Sequence, residues 1–354
     1  MPRRPSRTKS SCENVGTLLM SDFFQSNQLT TLQRLRPNPQ LEEEVTQTQR
    51  KIVVVVPCLA SHYKPEILRK LLECITTVSC ISEIVVVLNG SAGELESQDS
   101  YLAQSVAQDT LPIKILLCEG LGKGRAMKTG FDYVYRRYNS TVIVVTFDAD
   151  FQSFSKEYLF RLVYPIAVLG GQANKGYYAR FSSTTLNGRL TRLLVFPMLH
   201  AIQEQCPTSD LNRWLLSFRY PLSGDVALAS EILPHLKLEG SWAYDLSLLH
   251  SLFQHKDNTS IFQTDLLDNY EHLHRDLSGD RLSGLLDAFD DISTYLIRLF
   301  PIDHHRLIRD YSNLAHTYCD KYEKLRLFNG MVTSGRDRQF VSHFLDHLNS
   351  RGEA

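Results

Sequence analysis

The sequence predicts an α/β protein whose mainly parallel sheet is covered by helices on both faces and followed by a helical C-terminal extension. Three observations point there. Short β-branched runs, IVVVV (52–56), EIVVVL (83–88), IKILLC (113–118) and TVIVVTF (141–147), alternate with stretches of helical length such as PEILRKLLECITTV and GRAMKTGFDYVYRRY. Strands that are apolar almost throughout belong to parallel sheets buried on both faces by crossover helices. Beyond Ser278, LSGLLDAFDDISTYLIRLF and DHHRLIRDYSNLAHTYCDKYEKL repeat apolar residues every three or four positions, the period of an amphipathic helix.

Taken in order, residues 1–50 carry four basic side chains in the first ten and end in QLEEEVTQTQR, which reads as a tail or an appended helix. Residues 51–290 form the main domain, with a Rossmann-like first half. Within it the pattern adds a strand over 176–181, a helix over 188–204, a helix near 242–254 and a strand over 260–266. Residues 291–354 form the helical extension, whose amphipathic faces raise self-association as a homodimer as an expectation.

The composition excludes several classes. Lys plus Arg total 38 against 39 Asp plus Glu, so the net charge of -1 gives no broad basic field for nucleic acid. No apolar run approaches the about 20 residues of a membrane helix, so no membrane span is expected. The seven cysteines form no CxxC pair, and the basic N-terminus lacks an apolar run of signal-peptide length. A cytoplasmic, reducing setting follows as an expectation.

Four clusters are candidates for chemistry. TFDAD places Asp148 and Asp150 at the carboxyl edge of a parallel strand, where ligands of such sheets gather. Two carboxylates one residue apart suit a divalent cation and a ligand hydroxyl, Mg²⁺ and Mn²⁺ favouring oxygen donors; the alternative is a chance DxD whose aspartate caps a helix. In CEGLGKGRAMKTG, Gly120, Gly122 and Gly124 with Lys123 before a helix form an anion cradle. The plainer alternative is a glycine turn with a solvated lysine, and neither the dinucleotide fingerprint nor the P-loop pattern is satisfied. NGRLTRL opens a helical run with a guanidinium and a hydroxyl suited to a carboxylate or phosphate, unless Asn187 merely caps and Arg189 is a surface charge. In EHLHRD, His272 and His274 alternate on an extended segment, as structural histidines or as metal ligands.

The order of these motifs resembles the GT-A nucleotide-sugar glycosyltransferases, and within them the retaining glucosyl-3-phosphoglycerate synthases and their mannosylglycerate synthase relatives, over roughly residues 51–300. The donor loop after the first strand is matched by Pro57 and Leu59, with ASHYK replacing the acidic residues that usually follow. LNGS supplies Asn89 and Ser91, GKG supplies Lys123, and the DxD is Asp148, Ala149 and Asp150. GRLTRLLVFPML resembles the acceptor motif, so Gly188, Arg189, Leu190 and Thr191 inherit that role by position. YPLSGDVALASEIL puts Asp225, and GSWAYDLSLL puts Asp245, where glutamate is usual. EHLHRDL resembles the metal-histidine segment and places the ligand on His272, with His274 in reserve.

The resemblance implies a metal-dependent, retaining hexosyl transfer from a nucleotide sugar, UDP-glucose foremost, to a small carboxylate or phosphate acceptor such as 3-phosphoglycerate or glycerate. It implies Mg²⁺ or Mn²⁺ held by Asp150 and His272, donor hydroxyls on Asp148, and the acceptor on Arg189 and Thr191. Asp245 is the one carboxylate to test as nucleophile, sugar stabilisation being its expected role. Mannosyl transfer from GDP-mannose, a lipid-phosphate acceptor and a noncatalytic nucleotide-sugar sensor stand as alternatives.

Overall fold

The computed structural model describes residues 25–26, 28–61, 64–95, 113–139, 142–151, 154–181, 185–255, 260–266, 280–332 and 335–352, with the backbone alone for 280–284 and 351–352. Eight strands form one sheet: β1 (Thr30–Leu32), β2 (Lys51–Leu59), β3 (Ile81–Gly90), β4 (Ile113–Glu119), β5 (Val142–Thr146), β6 (Ala173–Tyr177), β7 (Val226–Ala229) and β8 (Ile261–Asp265). Their order is β1-β8-β6-β7-β5-β2-β3-β4.

The four sequence-predicted strands are the parallel half. Helix α2 (Pro65–Thr76) links β2 to β3, and α3 (Lys123–Tyr138) links β4 to β5. Along β2, Val53 and Val55 enter one core while Ile52, Val54 and Val56 enter the other, so the period of a strand feeds both faces. Burying such a side chain stabilises the fold by about 1.5–3 kcal/mol.

Strand β7 is antiparallel to both β5 and β6, and β6 is parallel to β8. Two reversals restore the direction of β5, so every strand except β7 ends at one edge. Asp148 follows β5 at that edge, and Asp225, immediately before β7, reaches it from the other direction.

Two expectations are revised. Residues 30–32 of the segment read as a tail or appended helix pair with β8 as an edge strand. α1 (Leu41–Gln47) docks on α4 (Lys156–Ala167), where the Tyr164 hydroxyl donates to Glu44 at 2.6 Å. The strand read at 176–181 runs instead over Ala173–Tyr177.

After β6 the chain makes a π-helical turn (Leu190–Val195) continuous with α5 (Phe196–Gln205), followed by α6 (Asp210–Leu216), a 3₁₀ turn (Ser230–His235) and α7 (Tyr244–Gln254). Pro197 has no N–H to donate, and the Phe196 N–H reaches five residues back to the Thr191 carbonyl. The extension comprises α8 (Asp280–Leu299), α9 (His304–Phe328) and α10 (Arg336–Gly352). Helix α8 runs unbroken across residue 290, and Tyr311, Phe340 and Phe344 share one apolar cluster with Val53 and Val144 of the sheet. These helices therefore complete the core of the main domain. No helix among the described residues is long and apolar enough to cross a membrane.

Candidate active site at the carboxyl edge of the sheet

Lys123, at the start of α3, lies 2.9 Å from Asp148 and 3.6 Å from Asp245. Beyond Asp245, Lys175 of β6 approaches its other oxygen at 3.4 Å and donates to the Ser223 carbonyl at 2.6 Å. Alternating charges thus run Asp148, Lys123, Asp245, Lys175 across the edge. Burial by itself lowers the Lys123 pKa, but the Asp148 and Asp245 carboxylates outweigh it and hold the ammonium above its ordinary value. Lys175 goes the other way: burial lowers it, Asp245 offsets this in part, and the neighbouring Lys123 charge lowers it further. Tyr244, whose ring lies 5.9 Å below the Lys123 ammonium, is kept a neutral phenol by burial and by Asp245.

The glycines of GKG explain how Lys123 comes to Asp245. A Cβ on Gly122 would stand 2.2 Å from the Gly240 carbonyl oxygen, and one on Gly124 would stand 1.8 Å from that of Glu239. Only glycine lets the helix start pack on the 239–241 loop that opens α7. The N–H groups of Gly124 and Arg125 donate to Ser241 and Gly240 at 3.4 and 3.1 Å. The Gly124 and Arg125 N–H groups are therefore already used by protein carbonyls, and the lysine is ion-paired rather than solvated.

Asp150 follows in the same turn, where the Phe151 N–H donates to the Asp148 carbonyl at 3.2 Å. Cys58, between Pro57 and Leu59 at the end of β2, has its thiol pushed up to about 12 by burial and then by the Asp150 charge, which sets the two edges side by side. As a metal donor Asp150 fits by its chemistry, a hard oxygen at the carboxyl edge of the sheet. Among the described residues no group of three metal-ligating side chains is gathered. His272 and His274 lie outside the described residues; β8, which precedes them, leaves the sheet at this same edge.

The other sequence-predicted positions have local partners. Asn89 is buried and donates to the Gly120 carbonyl at 3.5 Å, tying β3 to the turn before Lys123. The Ser91 N–H and hydroxyl both reach Glu94, at 2.8 and 2.9 Å, as in a capping box. Ala149 packs on the apolar cluster under α4. Asp225 is fully buried, donates its backbone N–H to the Ser223 hydroxyl at 3.2 Å, and raises the Tyr158 and Tyr178 pKa values after burial has done so.

Rings connect this edge to the acceptor motif. Tyr158 packs on Phe151 at 5.0 Å between centroids, Tyr178 on Tyr158 at 6.4 Å and Tyr220 on Tyr178 at 5.1 Å. A Cβ on Gly188 would meet the Tyr220 hydroxyl at 3.1 Å, and Gly188 has a φ of +72°. From that turn Arg189 stacks on Phe340 of α10, 4.4 Å from its centroid, and Leu190 packs against the main core. Thr191 is buried, and its hydroxyl has no hydrogen-bond partner among the described residues.

Sequence reasoning missed Lys175 and Gly224. Gly224 provides the space in which the Asp148 carboxylate sits, and a lysine inside a buried strand leading to the carboxyl edge was the available signal for Lys175.

The sheet order, with the DxD turn after β5 and the antiparallel β7 beside it, is the GT-A glycosyltransferase fold, and fold and relatives together define a nucleotide-sugar-dependent glycosyltransferase. No family model matches the chain. It is 27% identical over 347 residues to a glucosyl-3-phosphoglycerate synthase of Persephonella marina, covering 88% of this chain and 85% of that one. It is 25% identical to one of Methanococcoides burtonii, covering 94% and 89%. Among solved structures it resembles glucosyl-3-phosphoglycerate synthase from Mycobacterium tuberculosis in complex with phosphoglyceric acid, with a TM-score of 0.59, 22% identity, and coverage of 76% of this chain and 87% of that one. The same enzyme with Mn²⁺ and UDP-glucose gives a TM-score of 0.58 at 23% identity, covering 76% and 86%.

Proposed function

We propose that the chain transfers glucose from UDP-glucose to 3-phosphoglycerate with retention of anomeric configuration, in a reaction that requires Mg²⁺ or Mn²⁺. The carrying observation is the Asp148–Lys123–Asp245 ion chain at the carboxyl edge, in a chain whose curated relatives are glucosyl-3-phosphoglycerate synthases.

Lys123 is a fixed cation that cannot be neutralised near neutral pH, because its two carboxylates hold the proton. Placed beside the departing diphosphate it stabilises developing negative charge without reorganising. Asp148, oriented by Lys123, accepts bonds from donor hydroxyls. Asp245, held between the Lys123 and Lys175 ammonium groups, stabilises positive charge on the sugar ring. Asp150 and His272 would hold the divalent cation, which when bound offsets the charge of the diphosphate. Arg189 and Thr191 grip the acceptor's anionic groups and leave its hydroxyl aimed at the anomeric carbon, so positioning supplies much of the rate. On this route the acceptor attacks from the face the diphosphate leaves, and a diphosphate oxygen takes its proton.

The test is release of nucleoside diphosphate from UDP-glucose with 3-phosphoglycerate and Mn²⁺, with the product's anomeric configuration read by NMR. GDP-mannose and free glycerate serve as the competing substrates. Preference for either, or an inverted product, would replace this reading.

A further inference from the structure

We propose that the C-terminal extension builds the acceptor side of the site, with Phe340 and Asp337 of α10 acting as positioning residues for Arg189. This rests on the reading that Arg189 meets the acceptor.

Two residues spaced by three on one segment meet two residues spaced by three on the other. Arg189 stacks on Phe340 with its guanidinium carbon 4.4 Å from the ring centroid, and Arg192 pairs with Asp337 at 2.9 Å. Residues three apart share a helix face, so Asp337 and Phe340 present one matched surface to the GRLTRL segment. Both are buried, Phe340 at 1% and Asp337 at 5% exposure, so the contact is shielded from water.

Arg192 does more than close an ion pair. Its Nε donates to the Asn187 carbonyl at 2.8 Å and its Nη2 to that of Leu186 at 2.9 Å, the two residues before Gly188. The turn that presents Arg189 is therefore held by Arg192, and Arg192 is held by Asp337. Arg326 of α9 donates to the same Asp337 oxygen at 2.5 Å, Tyr322 stacks 4.6 Å from the Arg192 guanidinium, and the Tyr311 hydroxyl donates to the Leu193 carbonyl at 2.9 Å. Four links from two helices converge on one short segment, and Arg326 steadies the Asp337 that makes one of them.

The chemistry of the stack suits an anion. A ring takes the face of a guanidinium, while its N–H donors lie in the plane and match a carboxylate or phosphate edge in paired bonds. Phe340 fixes that plane before the acceptor arrives, so less rotamer entropy is lost on binding.

Steady-state kinetics of the full chain test this. In Phe340→Leu the KM for 3-phosphoglycerate is expected to rise roughly two- to thirtyfold, the range a cation–π contact spans, with the KM for UDP-glucose unchanged. In an Arg189→Ala background the same substitution is expected to change the acceptor KM no further, because the coupling partner is gone. Asp337→Asn, read where the variant is folded, is expected to raise the acceptor KM alone, and Phe340→Met, closer to the ring in volume, serves if the leucine variant fails to fold. An unmoved acceptor KM, a parallel rise in both KM values, or an undiminished Phe340→Leu effect in the Arg189→Ala background overturns the inference. Absence of glucosyl transfer by the wild-type chain would instead overturn the functional reading on which it rests.

Discussion

A methyl group on Gly224 would stand 2.6 Å from one carboxylate oxygen of Asp148 and 2.7 Å from the other. The carboxylate that pairs with Lys123 at 2.9 Å therefore occupies the place of the missing side chain. Gly224→Ala is expected to push Asp148 off Lys123 and lower kcat about a hundredfold, the scale for a misplacement near 1 Å. A wild-type kcat in that variant would show that this carboxylate pose is not needed.

Lys175 is the second prediction. It sits between the Ser223 carbonyl and Asp245 and is 3% exposed. Lys175→Met retains the bulk without the charge, and Asp245 keeps Lys123 at 3.6 Å, so the buried carboxylate is not left without a cation. The melting temperature is expected to hold while kcat falls at least about tenfold, as loss of about 1.4 kcal/mol of transition-state stabilisation implies. The pH sign follows from a folded pKa below 10.5: the unfolded chain binds the extra proton, so wild-type stability relative to the variant rises with pH through the window below 10.5. A relative stability that falls there would contradict the lowered value.

Removing the oxygen donor of the DxD turn tests the metal assignment. Asp150→Ala is expected to lose about a hundredfold or more of the Mn²⁺-dependent rate, since charge stabilisation by a cation is worth several kcal/mol. Tight-binding chelators are expected to bring the wild-type rate to the level of the variant, and near-normal metal-dependent turnover by the variant would remove Asp150 from the ligand set.

The parallel half of the sheet was legible because its strands are apolar on both faces, and Val53 and Val54 enter opposite cores. β6 was displaced because two of its buried residues are polar. Asn174 donates to the Leu162 carbonyl at 2.7 Å and accepts from Thr264 at 2.9 Å, while Lys175 serves Asp245. A hydropathy pattern cannot show a strand whose buried groups are satisfied by distant partners. The same holds in the site. Motifs named Lys123, Asp148 and Asp245, but the purpose of Gly122 and Gly124 depends on a loop at 239–241 that no local window contains. Arg189 was read from its motif, yet its seat on Phe340 is fixed only by tertiary packing.

Asp337 gives the fourth prediction. Its burial raises the carboxyl pKa, but the charges and hydrogen bonds of Arg192 and Arg326 outweigh this and hold it below the ordinary 3.8. A carboxylate with a depressed folded pKa stabilises fully above its unfolded value and loses that stabilisation as pH falls through the folded one. Asp337→Asn leaves two guanidinium groups facing an uncharged amide, and removing one partner of a buried pair destabilises by about 3–5 kcal/mol. Urea melts of both proteins are therefore expected to differ by a constant amount above 3.8 and to converge as the pH drops below it. Because Arg192 holds the Leu186 and Asn187 carbonyls, the same acid window is expected to loosen the turn carrying Arg189. A gap that stays constant below 3.8 would mean that the carboxyl is not depressed by its two arginines.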